Sequence, residues 1–234
     1  MIAFKPLLLV VLLGFLTGCA GTYRTYTEMF QLALASKTDA ALPFSELTAD
    51  KPDYLYAKLG DQPRSIMGLL FIEQGQFKWT SANNVLLVTE QGRLVRTAGL
   101  ADDLLHTTNT LADPLKTGNF TNTSWGRMLD WRGGEYGYIV RSTFAVSENE
   151  LLTFFGQSVP VRKVVETLTY DTSSPYWRFD QDWQNIFWFH ADTGKLLQSQ
   201  QQLAPGKPVL ELIFISEVAR QLRQAGIDIA GDAI

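Results

Sequence analysis

From residue 54 onward the chain sets short apolar stretches between turn residues, at a spacing that predicts β-hairpins. Residues 54–59 alternate loosely, and 66–72 form an apolar run bounded by Arg64 and Glu73 that is too short for a buried helix. Gly75 predicts a turn into a strand at 76–80, Asn83-Asn84 a turn into 85–88, and Gln91-Gly92 a turn into 93–96. Residues 100–105 read as a short helical turn, and 107–124, rich in Thr, Asn and Gly, as a long loop. Strand signals resume at 125–131, 136–146, 151–155, 159–170, 183–190, 196–203 and 209–215. Their predicted turns fall at 132–135, Glu148-Asn149, Gln157-Ser158 and 192–195. Along 159–170, Val161, Lys163, Val165 and Thr167 face one way and Arg162, Val164, Glu166 and Leu168 the other. Neither face is purely apolar, which predicts a twisted strand covered in part on both sides.

Helical spacing occurs near both ends. Thr27 can cap a helix over 28–36 that carries Met29, Leu32 and Ala33 on one side. Ser216 can cap an amphipathic helix with Val218, Ala219 and Leu222, ending at Gly226. There is no alternation of strand and helix, so the sheet is expected to be antiparallel. A sheet of about ten strands must curl. The expected fold is mainly β: an antiparallel meander closing into a barrel-like or sandwich domain over residues 27–234, with short helices near both ends. A transmembrane barrel fits less well, because several strands are short or charged on both faces.

The first apolar run is different in kind. Lys5 precedes an unbroken stretch at 7–16, and Leu16-Thr17-Gly18-Cys19 follows at once. Such a run is too short to span a bilayer, which takes roughly 20 apolar residues, and it has the charge and length of a secretory signal. With the only cysteine of the chain where the cut should fall, the segment resembles a bacterial lipobox. The resemblance implies removal of residues 1–18, a diacylglycerol thioether on Cys19 and an acylated N-terminus carrying fatty chains such as palmitate. Residues 19–26 are then the lipidated end and tether. Two or more acyl chains give stable anchoring where one does not. Ala20, not Asp, follows the cysteine, which in enteric-type bacteria implies sorting to the outer membrane. The alternative is a plain secretory signal with a free thiol.

Charge and composition narrow the chemistry. The formal net charge is −4, with no Lys/Arg cluster, so there is no electrostatic footprint for nucleic acid. Two histidines and one cysteine are a poor supply for a zinc site, and no metal or other cofactor is expected. No Gly-x-Ser-x-Gly elbow occurs. Asp180 and Asp182, two apart among Trp177, Phe179 and Trp183, are the alternative carboxylate pair for an envelope glycan hydrolase. Six tryptophans can fill a β core or offer flat faces to sugar rings, and arginine forks can hold the carboxylates of acidic sugars. Trp79, Arg93 and Arg96 on neighbouring strands form one candidate polysaccharide-binding group. Trp125, Arg127 and Trp131, which alternate along one strand, form the other. The competing reading places the same tryptophans in the core with arginines at its edge.

Ordered together, Trp79-Thr80-Ser81, Leu86-Leu87-Val88-Thr89, Gly92-Arg93-Leu94-Val95, Asn185-Ile186-Phe187-Trp188-Phe189, Asp192-Thr193-Gly194 and Gln198-Ser199-Gln200 resemble the group 4 capsule polysaccharide lipoprotein family (GfcB/YjbF type). The resemblance implies an outer-membrane lipoprotein, facing the periplasm, with a barrel-like core. It implies a non-enzymatic accessory role in assembly or export of capsule or exopolysaccharide. The partners implied are the membrane, an acidic polysaccharide and other export proteins. No catalytic residues carry over. The segment beyond Ile215 is not part of the resemblance. A scaffold that recruits another envelope protein is a further alternative.

Overall fold

The computed structural model describes residues 38–132, 135–171 and 182–229, and residues 39–234 group into one compact unit. Its strands are β1 (Tyr54–Leu59), β2 (Ser65–Glu73), β3 (Gln76–Ser81), β4 (Leu86–Glu90), β5 (Arg93–Ala98) and β6 (Leu104–Thr107). They continue as β7 (Ser124–Trp131), β8 (Glu135–Phe154), β9 (Gln157–Tyr170), β10 (Asp182–His190), β11 (Leu196–Gln202) and β12 (Val209–Ile213). Helix α1 (Pro114–Thr117) lies between β6 and β7, and α2 (Ile215–Gln224) follows β12. All the strands join one antiparallel sheet in the order β5-β4-β3-β2-β1-β12-β11-β10-β9-β8-β7-β6. The β1–β12 pairing, with Tyr56 opposite Ile213, joins the first half of the meander to the last strand. The sheet curls until its edge strands, β5 and β6, meet, and so nearly closes into a barrel.

Side chains close the seam. Thr97 Oγ1 donates to Asp103 Oδ1 at 3.0 Å and accepts from Leu104 N at 2.9 Å. Asp103 also caps the connection by accepting from Gly99 N at 3.1 Å and Leu100 N at 3.0 Å. Nearer the start of β5 the edge is met from the opposite wall. Gln201 on β11 accepts from Leu94 N at 2.9 Å and donates to Gly92 O at 2.8 Å. Edge polar groups left bare would be costly and prone to pair with another chain; here Leu94 N, Gly92 O and Leu104 N are met within the fold.

Three apolar clusters hold the fold, the smallest of them Leu115, Phe120, Val164, Phe187 and Phe189; the other two are larger. One fills the barrel with alternate residues of the strands, including Leu55, Met67, Trp79, Leu87, Leu129, Trp131, Leu168 and Leu212. The other gathers Phe44, Tyr56, Val161, Trp188 and Leu197 around Ile215, Val218, Ala219 and Leu222 of α2. The spacing of Val218, Ala219 and Leu222 puts them on one helical face, and all three are buried as that spacing predicts. Ser216 is not the cap. The helix starts one residue before it, and Ser216 Oγ instead accepts from Tyr54 N at 2.8 Å, fastening α2 to β1.

Several elements differ from the sequence expectation. Residues 100–105 supply a turn and the start of β6 rather than a helical turn, because Thr97 and Asp103 supply partners that local propensity ignores. The expected turn at Glu148-Asn149 is a register shift inside one long strand, β8, with Asn149 at φ 62°. The β8–β9 turn lies at Phe155-Gly156, just before the predicted Gln157-Ser158. The 107–124 loop contains α1, started by Asp113, which accepts from Leu115 N ahead of Pro114 at the first helical position. The helix expected over 28–36, Cys19 and Asp180 lie outside the described residues.

Candidate functional site

A buried charge cluster forms where the two edges of the sheet approach. Arg93, the first residue of β5, pairs through Nε and Nη2 with Asp113, the latter at 3.1 Å from Oδ1. Its Nη1 donates to Glu166 Oε2 at 2.7 Å. Arg127 on β7 donates through Nη1 to Glu166 Oε1 at 3.1 Å and to Ser142 Oγ at 2.7 Å. Ser142 on β8 donates to Glu166 Oε1 at 2.6 Å, and Asn185 Nδ2 on β10 to Oε2 at 3.0 Å. Trp125 lies against both cations, its ring centre 4.1 Å from the Arg127 guanidinium and 4.6 Å from that of Arg93. The four charged residues are exposed by 4% or less.

Two cations and two carboxylates balance, and both oxygens of Glu166 accept two hydrogen bonds each. Burial opposes the charge on Glu166. The Arg93 and Arg127 guanidiniums outweigh it and lower the carboxyl from 4.5 to about 2. Burial also works against Arg93, but Asp113 and Glu166 outweigh it and raise the guanidinium above its ordinary value. For Arg127 burial wins over the attraction of Glu166, and the group falls below its ordinary value to about 10, still charged at neutral pH. The cluster thus gathers β5, β7, β8, β9, β10 and the cap of α1 around one carboxylate. A carboxylate so fully engaged has no lone pair to spare for a substrate.

The sequence-predicted residues divide accordingly. Arg93, Trp125 and Arg127, drawn from both candidate groups, do come together, but inside the fold. Trp79 and Trp131 are buried, their Nε1 atoms donating to Thr89 Oγ1 and Leu203 O, each at 3.0 Å. Trp125 Nε1 donates to Asn109 O at 3.1 Å. Arg96 alone of the six is exposed. Neither group therefore presents an open sugar-binding face. Asp182 is exposed at the start of β10, and its expected partner Asp180 lies outside the described residues. Among the described residues no group of three or more His, Cys, Asp or Glu side chains is placed to hold a metal ion.

Sequence reasoning missed Asp113, Ser142, Glu166 and Asn185. The signal for Glu166 was its position between Val164 and Leu168 on one strand face, where a lone carboxylate must find cations. For Asp113 it was the following proline, a helix-start signal inside the long loop. Ser142 and Asn185 had no signal beyond residue type.

The sequence profile of the group 4 capsule polysaccharide lipoproteins GfcB and YjbF matches residues 27–215. The chain belongs to this family. Lipoprotein GfcB of Escherichia coli K12, which bears the description uncharacterised, is 30% identical over 215 residues, covering 90% of this chain and 98% of GfcB. Lipoprotein YjbF of the same organism, described in the same way, is 31% identical over 154 residues, 63% of this chain and 68% of YjbF. The crystal structure of the hypothetical lipoprotein YmcC from Escherichia coli K12 is similar with a TM-score of 0.63 and 29% identity, over 80% of this chain and 93% of that one. The match to the capsule lipoprotein profile ends at residue 215, where α2 begins, so most of that helix lies past it. Among the described residues no helix is long and apolar enough to cross a membrane.

Proposed function

We propose that this protein is a lipid-anchored, non-enzymatic accessory factor in the assembly or export of a capsule or exopolysaccharide. Its anchor is the acylated Cys19, and it is held at the outer membrane facing the periplasm. The observation that carries this reading is the family match over residues 27–215. Two features support it. The lipobox sequence Leu16-Thr17-Gly18-Cys19 supplies an anchor, and the buried carboxylates of the Arg93–Glu166 cluster are consumed in holding the barrel together.

The test is the surface polysaccharide made by a deletion strain. Deletion should lower it, the wild-type gene should restore it, and Cys19→Ala should fail to restore it although the protein is made. Unchanged polysaccharide in the deletion strain overturns the reading.

A second reading, a scaffold that recruits another envelope protein, is favoured by one feature. Leu70, Phe71 and Ile72, consecutive on β2, are 59%, 47% and 54% exposed. Phe71 and Ile72, paired with Lys78 and Phe77 of β3, point to opposite faces of the strand, so this end of β2 is open to solvent on both faces.

A further inference from the structure

The sequence-predicted tryptophans are mostly sealed in, but Trp79 also lines an open cavity of about 170 Å³ at one mouth of the barrel. Three rings form its apolar side. Phe77 and Trp79 on β3 lie nearly parallel, 15° apart with centres 6.2 Å apart. Phe214, just after β12, meets Trp79 edge-on at 6.1 Å. Trp79 Nε1 is engaged by Thr89 Oγ1, which lines the same cavity, so what the indole offers a ligand is its carbon surface.

The polar side is a flat, pre-set rim. Arg220 on α2 donates to both oxygens of Asp53, at 2.6 and 3.3 Å, and to Glu217 Oε2 at 2.8 and 3.1 Å. Burial opposes the charge of this guanidinium, and its two carboxylates outweigh it and raise it above the ordinary value. Gln221 Nε2 donates to Glu217 Oε1 at 2.7 Å, and the Asp53, Glu217 and Arg220 side chains, all part-exposed, line the cavity. Lys195, also lining the cavity, is exposed and has no ion-pair partner among the described residues.

Rings on one side and a fixed carboxylate–guanidinium rim on the other match the two surfaces of a sugar. The C–H face of the ring packs on aromatic carbon, and the hydroxyls bridge charged acceptors and donors. The volume is below the roughly 300–1,000 Å³ of pockets for drug-sized ligands, so it suits one sugar unit rather than a length of chain. We propose that this mouth is a glycan subsite that holds one carboxylate-bearing sugar unit, with its ring on Phe77, Trp79 and Phe214, its hydroxyls on Asp53 and Glu217, and its carboxylate on Lys195. The kind of glycan rests on the capsule reading above; the site itself rests on the cavity. Glu217 and Arg220 lie past the residues matched by the family profile.

The test is saturation-transfer NMR on the full mature protein in detergent micelles. The probe is the set of short oligosaccharides released by partial acid hydrolysis from the producing strain's own surface polysaccharide. The same fragments with their carboxyls reduced to alcohols serve as the comparison. Transfer to ring C–H protons is expected. Phe77→Ala and Lys195→Gln should each weaken binding about tenfold or more, while Tyr136→Ser, exposed on β8 and outside the cavity, should leave it unchanged. Lys195→Gln alters an exposed side chain and keeps the test readable if Phe77→Ala unfolds, which thermal melting would reveal. No transfer to any fragment, or full affinity in Lys195→Gln, overturns the proposal, as does equal binding of the reduced fragments. Binding of the fragments by the protein, together with unchanged polysaccharide in the deletion strain, would leave the site standing and remove the capsule role instead.

Discussion

Glu166 shows how one residue can set the character of a core. Alone, an ionised carboxylate there would be untenable; with two guanidiniums, a hydroxyl and an amide around it, the charge is held. Removing one partner of a buried ion pair leaves the others uncompensated. Glu166→Ala should therefore lower stability by about 3–5 kcal/mol, read from urea unfolding, and a loss below about 1 kcal/mol would show the cluster to be solvated in solution. The pH dependence follows from the same contacts. Because the folded carboxyl sits at about 2 instead of 4.5, the unfolded chain binds more protons between those values. The contribution is complete above pH 4.5 and is lost as pH falls towards 2. Urea midpoints measured down this range should fall, and Glu166→Gln should remove part of the slope; an identical slope in that variant would contradict the assignment.

At the scale of elements, the turns and the last helix decide where the mouth lies. Gly92, in the β4–β5 turn, has φ +85°, and a Cβ there would lie 1.8 Å from Leu196 Cδ2 on β11. Gly156, in the β8–β9 turn, has φ +73° with nothing within 4 Å. Both alanine variants carry the strain of a left-handed backbone, about 1–3 kcal/mol, but only Gly92→Ala adds a clash with the opposite wall. Gly92→Ala should melt below Gly156→Ala; equal melting temperatures would mean that the Leu196 side chain swings aside at little cost. Helix α2 is held by packing and by the Asp53–Arg220 pair. Leu222, 2% exposed, should cost about 2–5 kcal/mol when cut to alanine, by denaturant titration.

For the whole molecule, the seam between β5 and β6 is the point at which a curled sheet becomes a barrel. There side chains replace the backbone ladder, so closure rests on few groups. Thr97→Val keeps the shape but removes the donor to Asp103 and the acceptor for Leu104 N. Leaving such buried groups unpaired costs about 1–3 kcal/mol. Amide exchange should rise in β5 and β6 ahead of β9 and β10, whose ladder is unchanged; uniform acceleration would show that the seam is no weak point.

The sequence by itself determined the meander, its antiparallel sense and the family, because turn residues such as Gly75, Gln91-Gly92 and Asp192-Thr193-Gly194 act locally and the alternation between them has a fixed period of two. It also fixed the buried stripe of α2, since helical spacing is equally local. Only the tertiary structure decided how the strand edges close, and that Arg93 and Arg127 turn inward to Glu166 rather than outward to a sugar. Pairing across 39 and 73 positions of chain depends on the curl of the whole sheet, and no local pattern encodes which lone carboxylate a buried cation will meet. The mouth cavity is decided in the same way, by β3, the end of β12 and α2 arriving at one place, each with its own surface already set by sequence.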